Sequence, residues 1–224
     1  MSVRGWVGLV CFANSWKLSD RCVAGKVLEG DGAGSWVRPV GRSPSGELTF
    51  PERAVHGREP RLMELLRIPL AHSRAHGCHV EDYAVDPNEK WTSGGPVPVS
   101  TVIRMVDPAA ALWPNGHHPN NDRIPCGVAD RLSSSLRLIR VTNVKWVQQH
   151  SYGRMKHRLR FGYLGDAYDL SVTDPEAVSV FGGNQEGEWL MRGETLLCIS
   201  LGEPFNGCRY KLVAGMIPLP RSTR

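Results

Sequence analysis

LRLIRVTNVKWVQQHSYGRMKHRLRFGYL, residues 136–164, is the stretch that decides the fold class. Its first half, Leu136–Gln149, reads as one long strand. Leu136, Leu138, Val144 and Trp146 share one face, and Ile139, Val141 and Val147 share the other. Apolar residues on both faces fit a strand buried for part of its length, or one that bends within a barrel. His150–His157 follows as a polar, basic loop, and Arg158–Leu164 returns as a second strand. In that strand Leu159, Phe161 and Tyr163 alternate with Arg158 and Arg160, the two-residue period of a pleated strand. The expected product is a β-hairpin with a cationic tip.

The same hairpin carries the clearest charge signal. Arg131, Arg137, Arg140, Lys145, Arg154, Lys156, Arg158 and Arg160 fall between Arg131 and Gly165 with no Asp or Glu among them, while the whole chain carries a formal charge of only +5. Trp146, Tyr152, Phe161 and Tyr163 are threaded through them. Cations track a phosphate backbone and flat rings stack on bases, so this pairing points to nucleic acid. The bland alternative is an exposed hairpin solvated by its charges.

Outward from that segment the pattern stays β-like. The 24 Gly and 16 Pro are scattered, and the runs between them are short and rich in Val, Ile, Leu and aromatics. Strands are expected at Gly5–Phe12, Arg21–Leu28, Ser35–Val40, Leu62–Leu70 and Val99–Val106. In the second half they are expected at Tyr168–Val172, Thr195–Leu201 and Arg209–Ile217. Short helices are expected after the Asp-Pro steps at Asp107, Asp174 and, more weakly, Asp86, where Asp caps and Pro suits the first turn. The loop-like stretch Trp113–Pro125 places the boundary between two domains, 1–118 and 119–224. A similarity between the segments around Leu9–Val27 and Leu197–Ile217 is read either as a duplicated β-unit or as chance.

Several chemistries lack a signature. G-x-S-x-G, H-E-x-x-H, a P-loop and C-x-x-C pairs are all missing from the sequence. Gly30–Gly34 reads as a hairpin turn. The six dispersed cysteines read as small buried hydrophobes in a reducing compartment. The apolar N-terminus reads as a strand, and no apolar run reaches the roughly 20 residues of a membrane helix, so a cytoplasmic protein is expected. His72, His76, Cys78 and His79 form a possible metal cluster, with loop polar residues as the competing reading. Asp166, Asp169, Asp174 and Glu176 could hold Mg²⁺ for nuclease chemistry, although Asp174 already has a capping role.

Cys11-Phe-Ala-Asn-Ser-Trp-Lys-Leu-Ser-Asp-Arg-Cys-Val-Ala-Gly25, followed by Trp36-Val-Arg-Pro-Val40, resembles the opening of the dual-OB (DuOB) domain family. Ile68-Pro69-Leu70, the Glu81-Asp82 step leading to Trp91, and Asn121-Asp-Arg-Ile124 are similar as well. At His79-Val80-Glu81-Asp82 the chain departs from the family's tendency towards His-Gln and Glu-Asn. The resemblance implies two OB-like β-barrels packed together, and a non-enzymatic prokaryotic module for nucleic-acid recognition, often near conflict and defence systems. It carries over to Asn14, Ser15, Arg21, Arg38, Asp122 and Arg123. Asn14 and Ser15 either contact ligand from an early barrel loop or form an Asx-type turn. Arg38 either binds phosphate or stacks on Trp36. Asp122 and Arg123 are expected to pair internally.

The resulting expectation is a mainly β protein that binds nucleic acid, single-stranded DNA or RNA. Its contact residues are Arg154, Lys156, Arg158, Arg160, Tyr152, Lys145, Asn14, Ser15, Arg21 and Arg38, and Trp146 and Tyr163 are further candidates for stacking. No cofactor is expected, and a partner protein encoded nearby is a possible associate. The alternatives are a nucleotide or small-ligand sensor signalling to a partner protein, and a metal-dependent nuclease.

Overall fold

A computed structural model describes residues 5–220. The chain divides into two compact units between Met105 and Val106. In the first unit, β1 (Gly5–Lys17), β2 (Asp20–Val27), β3 (Trp36–Val40), β4 (Glu64–Ser73) and β5 (Asp82–Val85) form one sheet in the order β1-β2-β3-β5-β4. β4 also pairs with β1, so the sheet closes into a barrel. The pair β3–β5 is parallel, and the other ring pairs are antiparallel. Helix α1 (Phe50–Arg53) lies between β3 and β4 in the chain, β6 (Thr92–Pro96) extends the sheet beyond β4, and α2 (Val99–Arg104) follows. Alternate residues of β1 (Val7, Leu9, Cys11) meet Val23, Leu66 and Ile68 in the core. The barrel is tight where β1 and β2 cross: a Cβ on Gly25 would lie 2.1 Å from the Val10 carbonyl oxygen.

The second unit repeats this path. After β7 (Arg123–Pro125) and α3 (Cys126–Ala129) come β8 (Leu136–Ser151), β9 (Arg154–Tyr163), β10 (Asp166–Val172), α4 (Pro175–Phe181), β11 (Gly187–Leu201) and β12 (Cys208–Pro218). The order is β8-β9-β10-β12-β11, closing back from β11 to β8, and β10–β12 is the parallel pair. A helix again lies between the third and fourth ring strands. Each unit therefore has the five-strand Greek-key ring of an OB barrel. The similarity between Leu9–Val27 and Leu197–Ile217 joins the first hairpin of one ring to the last hairpin of the other. These are not equivalent places in the two barrels.

Some local expectations change. Val99–Val106 reads as a strand from its β-branched residues but starts helix α2, with the Pro98 carbonyl accepting from Thr101 and Val102. Asp174-Pro175 does begin a helix, its carboxylate accepting from the Glu176 and Ala177 amides. Asp107 instead clasps β8: its Oδ2 accepts from Leu138 N at 2.7 Å, and its own amide donates to Leu138 O. Asp86 caps a turn by accepting from Asn88 N. The short strands β5 and β6 give no sequence signal, one opening on Asp and the other being Thr-Ser-Gly-Gly-Pro. None of the six cysteines forms a disulfide. No helix among the described residues is long and apolar enough to cross a membrane.

The stretch from Val106 to Asp122 belongs to the second unit, ahead of the 118/119 position read from loop composition. Lys211 is its anchor. This lysine is fully buried, and its Nζ donates to Pro114 O at 3.2 Å and to Asn115 Oδ1 at 2.6 Å. Asn115 in turn donates to Asp166 and the Tyr168 hydroxyl. Burial lowers the Lys211 pKa from 10.5 to about 8, against the opposing pull of Asp166 and Asp122. Unfolded, the group stays protonated up to its ordinary value, so between these two values the unfolded chain binds more protons and this site's contribution to stability rises with pH. Urea denaturation of wild type and Lys211→Met from pH 7 to 10 is expected to show wild type gaining on the variant by up to about 1.4 kcal/mol per pH unit above pH 8. Parallel curves would contradict this.

Candidate nucleic-acid interface

The basic segment folds as a continuous ribbon with almost no loop. β8 and β9 pair from Lys145↔Arg160 to Ser151↔Arg154, so the turn is only Tyr152-Gly153. Both turn residues have positive φ, 51° and 71°, the mirror-image turn whose twist suits a hairpin. Tyr152 is 100% exposed at its apex. Along β9, Leu159 and Phe161 face the core, while Arg154, Lys156, Arg158 and Arg160 lie on the opposite side.

Acids absent from the segment itself arrive from neighbouring elements. Arg158 donates to Asp169 through Nε, to Ser171 Oγ at 3.1 Å, and to Asp122 Oδ2 at 3.3 Å. Arg160 Nε donates to Asp169 Oδ2 at 2.7 Å and its Nη1 to Glu188. Lys145 Nζ lies 3.8 Å from Glu188, and Arg140 pairs with Glu194. Arg158 is thus a structural cation, held inside a network that also ties Asp122 to Arg123 at 3.2 Å and to His118 at 2.9 Å. Arg154 and Lys156 are exposed at the hairpin tip and have no acidic partner among the described residues.

Beside the ribbon a groove of about 470 Å³ crosses β8, β9 and β10. Lys145, Arg160, Asn143 and Asn120 line it with Asp169, and it is bordered by Phe161 and Tyr168, buried side chains whose rings are stacked 5.4 Å apart. The segment before β7 forms one wall, pinned by Asp169 N donating to Asn120 O and by Asn121 Nδ2 donating to Ala167 O. Sequence reasoning missed Asn143 and Asn120. A lone Asn inside an apolar strand, here at φ 55°, is the signal that marks the first of them.

In an OB barrel the face of the second and third ring strands is where oligonucleotides and oligosaccharides lie. Here those strands are β9 and β10, which form the groove. A family model described as "Dual OB-containing domain" matches residues 7–216, nearly the whole chain. The chain belongs to the dual OB-containing domain family. A dual-OB architecture fits a nucleic-acid-binding module in general terms. No curated protein matches the sequence.

In the first barrel of this dual-OB chain the expected contact residues have other partners. Arg38 is 3% exposed, and its Nε donates to Asp82 Oδ1 at 2.6 Å, so its charge is met by a carboxylate inside the barrel. Burial opposes its charge, but Asp82, with Cys22 and Glu81, holds its pKa above the ordinary value. Lys26 sits over the Trp36 ring, its Nζ 5.3 Å from the centroid. Asn14 lies within β1, and its Nδ2 donates to Glu59 and to Pro60 O. Ser15 is buried, with Oγ 3.4 Å from Cys22 O. Arg21 lies against the Trp16 ring at 5.6 Å. In the second barrel Trp146 is buried, which removes it from surface stacking.

Metal-ligand residues converge differently from the sequence reading. His76, His79 and Asp82 bring one ligand atom each to within 4.8 Å of one another, and His72 and Cys78 are not part of the group. A reciprocal pair of backbone hydrogen bonds between His76 and His79 shapes that loop. These three residues could hold a metal ion, although Arg38 occupies the other oxygen of Asp82. The carboxylates considered for Mg²⁺ have separate duties: Asp169 binds two arginines, Asp166 accepts from Asn115, and Asp174 caps α4.

Asp169 sets the charge of the groove and holds two cations at once. Asp169→Asn is expected to lower stability by about 1.5–3 kcal/mol in urea denaturation, because the largely buried Arg158 loses its closer counter-charge and keeps only Asp122 at 3.3 Å. Lys145→Ala, which removes an exposed cation 3.8 Å from the surface carboxylate of Glu188, is expected to change it by less than about 0.5 kcal/mol.

Proposed function

We propose that the second barrel binds single-stranded nucleic acid, DNA or RNA, without catalysing a reaction. Phosphates are met by Arg154 and Lys156 at the hairpin tip, and the strand continues along the groove past Lys145 and the edge of Arg160. Tyr152 offers a ring for stacking. One observation carries this reading: Arg140, Lys145, Arg158 and Arg160 are met by acids from neighbouring elements, whereas Arg154 and Lys156 have no acidic partner among the described residues and lie within four residues of a fully exposed tyrosine at the hairpin apex. A merely solvated ribbon needs no aromatic ring at its apex, whereas base stacking on an exposed ring is a general device for holding single strands. The asparagines of the groove add neutral hydrogen-bonding groups that tolerate any base. The reading predicts weak sequence selectivity, since phosphate contacts carry no sequence information.

Fluorescence polarisation with labelled single-stranded oligonucleotides tests it. Arg154→Ala/Lys156→Ala is expected to weaken binding and to reduce the slope of log K against log salt by about 1.4, at roughly 0.7 per lost phosphate contact. Tyr152→Ala is expected to weaken binding by about 5- to 10-fold with the slope unchanged, through loss of one stacked base. Wild-type affinity and slope in the double variant would remove the hairpin from the interface.

A further inference from the structure

A second cavity, of about 440 Å³, opens on the other side of the hairpin, beside the C-terminal end of α4. Trp146 and Gln148 of β8, Val180 and Phe181 of α4, and Trp189 of β11 line it. Its volume lies in the range of about 300–1,000 Å³ that holds small molecules. Three aromatic rings surround it. The ring of Phe181 is 5.7 Å from that of Trp146, and Trp189 is the cross-strand partner of Trp146. Trp189 is 43% exposed and folds back over Gly187, where an added Cβ would lie 3.0 Å from the indole. The rim is fixed by Gln148, whose side chain accepts from Gly183 N at 2.6 Å and donates to Gln185 O at 2.9 Å. A cleft held open this way keeps its shape when empty.

Two ring nitrogens at this end of the barrel are buried without a hydrogen-bond partner among the described residues: Trp146 Nε1 and His157 Nε2. Their rings are 5.6 Å apart, and Trp146 is 1% exposed. Trp146 lines the cleft, and native proteins seldom leave such a group unpaired, which favours a ligand with an acceptor on a flat ring. Burial pushes the His157 pKa below its ordinary value.

The cleft's position selects among flat ligands. Gln148, which forms its rim, pairs across the ribbon with His157, and the next pair is Gln149↔Lys156. Lys156 is thus one residue pair from the cleft along the ribbon, on its other face, and Arg154 follows two positions on; β9 is uncovered by β10 before Arg158, so a strand can pass round that open edge from the cations to the cleft. An aromatic group attached to phosphate satisfies both features, whereas an aromatic side chain of a protein satisfies only the first. We propose that the cleft receives one unstacked nucleobase of the bound strand, seated against Trp189 and Phe181 while its neighbouring phosphates meet Lys156 and Arg154. This rests on the nucleic-acid reading and adds to it a site on the face of the hairpin opposite the groove. It adds a second base contact to the stacking on Tyr152.

The test compares a pyrimidine oligonucleotide with an abasic oligonucleotide of equal length and phosphate count, by polarisation, for wild type, Trp189→Ala and Trp189→Phe. Trp189 is at the surface, so the variants are expected to keep the wild-type circular dichroism and unfolding midpoint. Wild type is expected to prefer the base-bearing strand by about tenfold or more. Trp189→Ala is expected to lose part of that preference, the share not due to Tyr152, while keeping its affinity for the abasic strand, and Trp189→Phe to restore some of it. Wild-type behaviour of Trp189→Ala overturns the cleft assignment and leaves the hairpin-tip reading standing, whereas equal binding of both strands by wild type overturns the cleft and the Tyr152 stacking together and leaves only phosphate contact. Absence of binding to either strand by wild type overturns both.

Discussion

Each ring is closed by a parallel pair of strands that is very short: three residue pairs in the first barrel and two in the second. Ladders of that length are weak on their own, and in both barrels a buried carboxylate reinforces the junction. In the first, Arg38 and Asp82 are partners in the β3–β5 pairing, and their side chains form an ion pair that is 3% exposed on each side. In the second, one carboxylate oxygen of Asp174 caps α4 while the other accepts from Met216 N of β12 at 2.9 Å. The Thr173 amide, next to it, donates to Val213 O. Without these links the edge strands of each sheet would separate, and the faces that the closed rings present would not exist.

This constraint explains why residues that look like ligand contacts are not. Arg38 sits in an otherwise apolar strand, and an isolated Arg there suggests a surface role. The cost of burying its charge is met by a carboxylate from a strand more than forty residues later, and nothing local announces it. The same holds in the second barrel. The 35-residue window around the hairpin contains no acid, which reads as an uncompensated cationic surface. Folding brings Asp169, Glu188, Glu194 and Asp122 against four of its cations. Charge patterning along a chain reports neighbours in sequence, whereas a β-barrel assigns neighbours by register.

What periodicity governs was legible. Apolar patterning identified β8, β10 and β12, and alternation identified β9 from Arg158 onward, with Leu159 and Phe161 on its buried face. The matched residues 7–216 bear out the dual-OB resemblance carried by Cys11–Gly25 and Trp36–Val40. What depends on backbone hydrogen bonding without burial was not legible. His150–His157 reads as a loop because it is polar and charged, yet it continues the ladder through a two-residue turn. Strand formation there needs only a pairing partner and a residue able to adopt positive φ, and Tyr-Gly is a less familiar solution than Asn-Gly. Likewise β6 is held by its pairing with β4, not by side chains that favour strands.

The ribbon tip is the least supported part of the second barrel. β10 covers β9 only from Arg158 onward, so Arg154–His157 pairs with β8 alone. Two-stranded ribbons are marginal by themselves. Cations on such an edge have a structural use, since Arg and Lys discourage edge-to-edge pairing with other sheets. That use accounts for Arg154 and Lys156 but not for Tyr152, an exposed aromatic at the apex that works against solubility. Nor does it account for the aromatic cleft on the other side, where Trp189 remains half exposed instead of packing against the core. Edge protection favours charge alone, whereas a bound strand uses charge for its phosphates and rings for its bases. Tyr152 shares the hairpin tip with Arg154 and Lys156, and the cleft between β8, α4 and β11 opens beside the base of that hairpin; this proximity of rings and cations favours nucleic-acid binding over simple solvation of the hairpin.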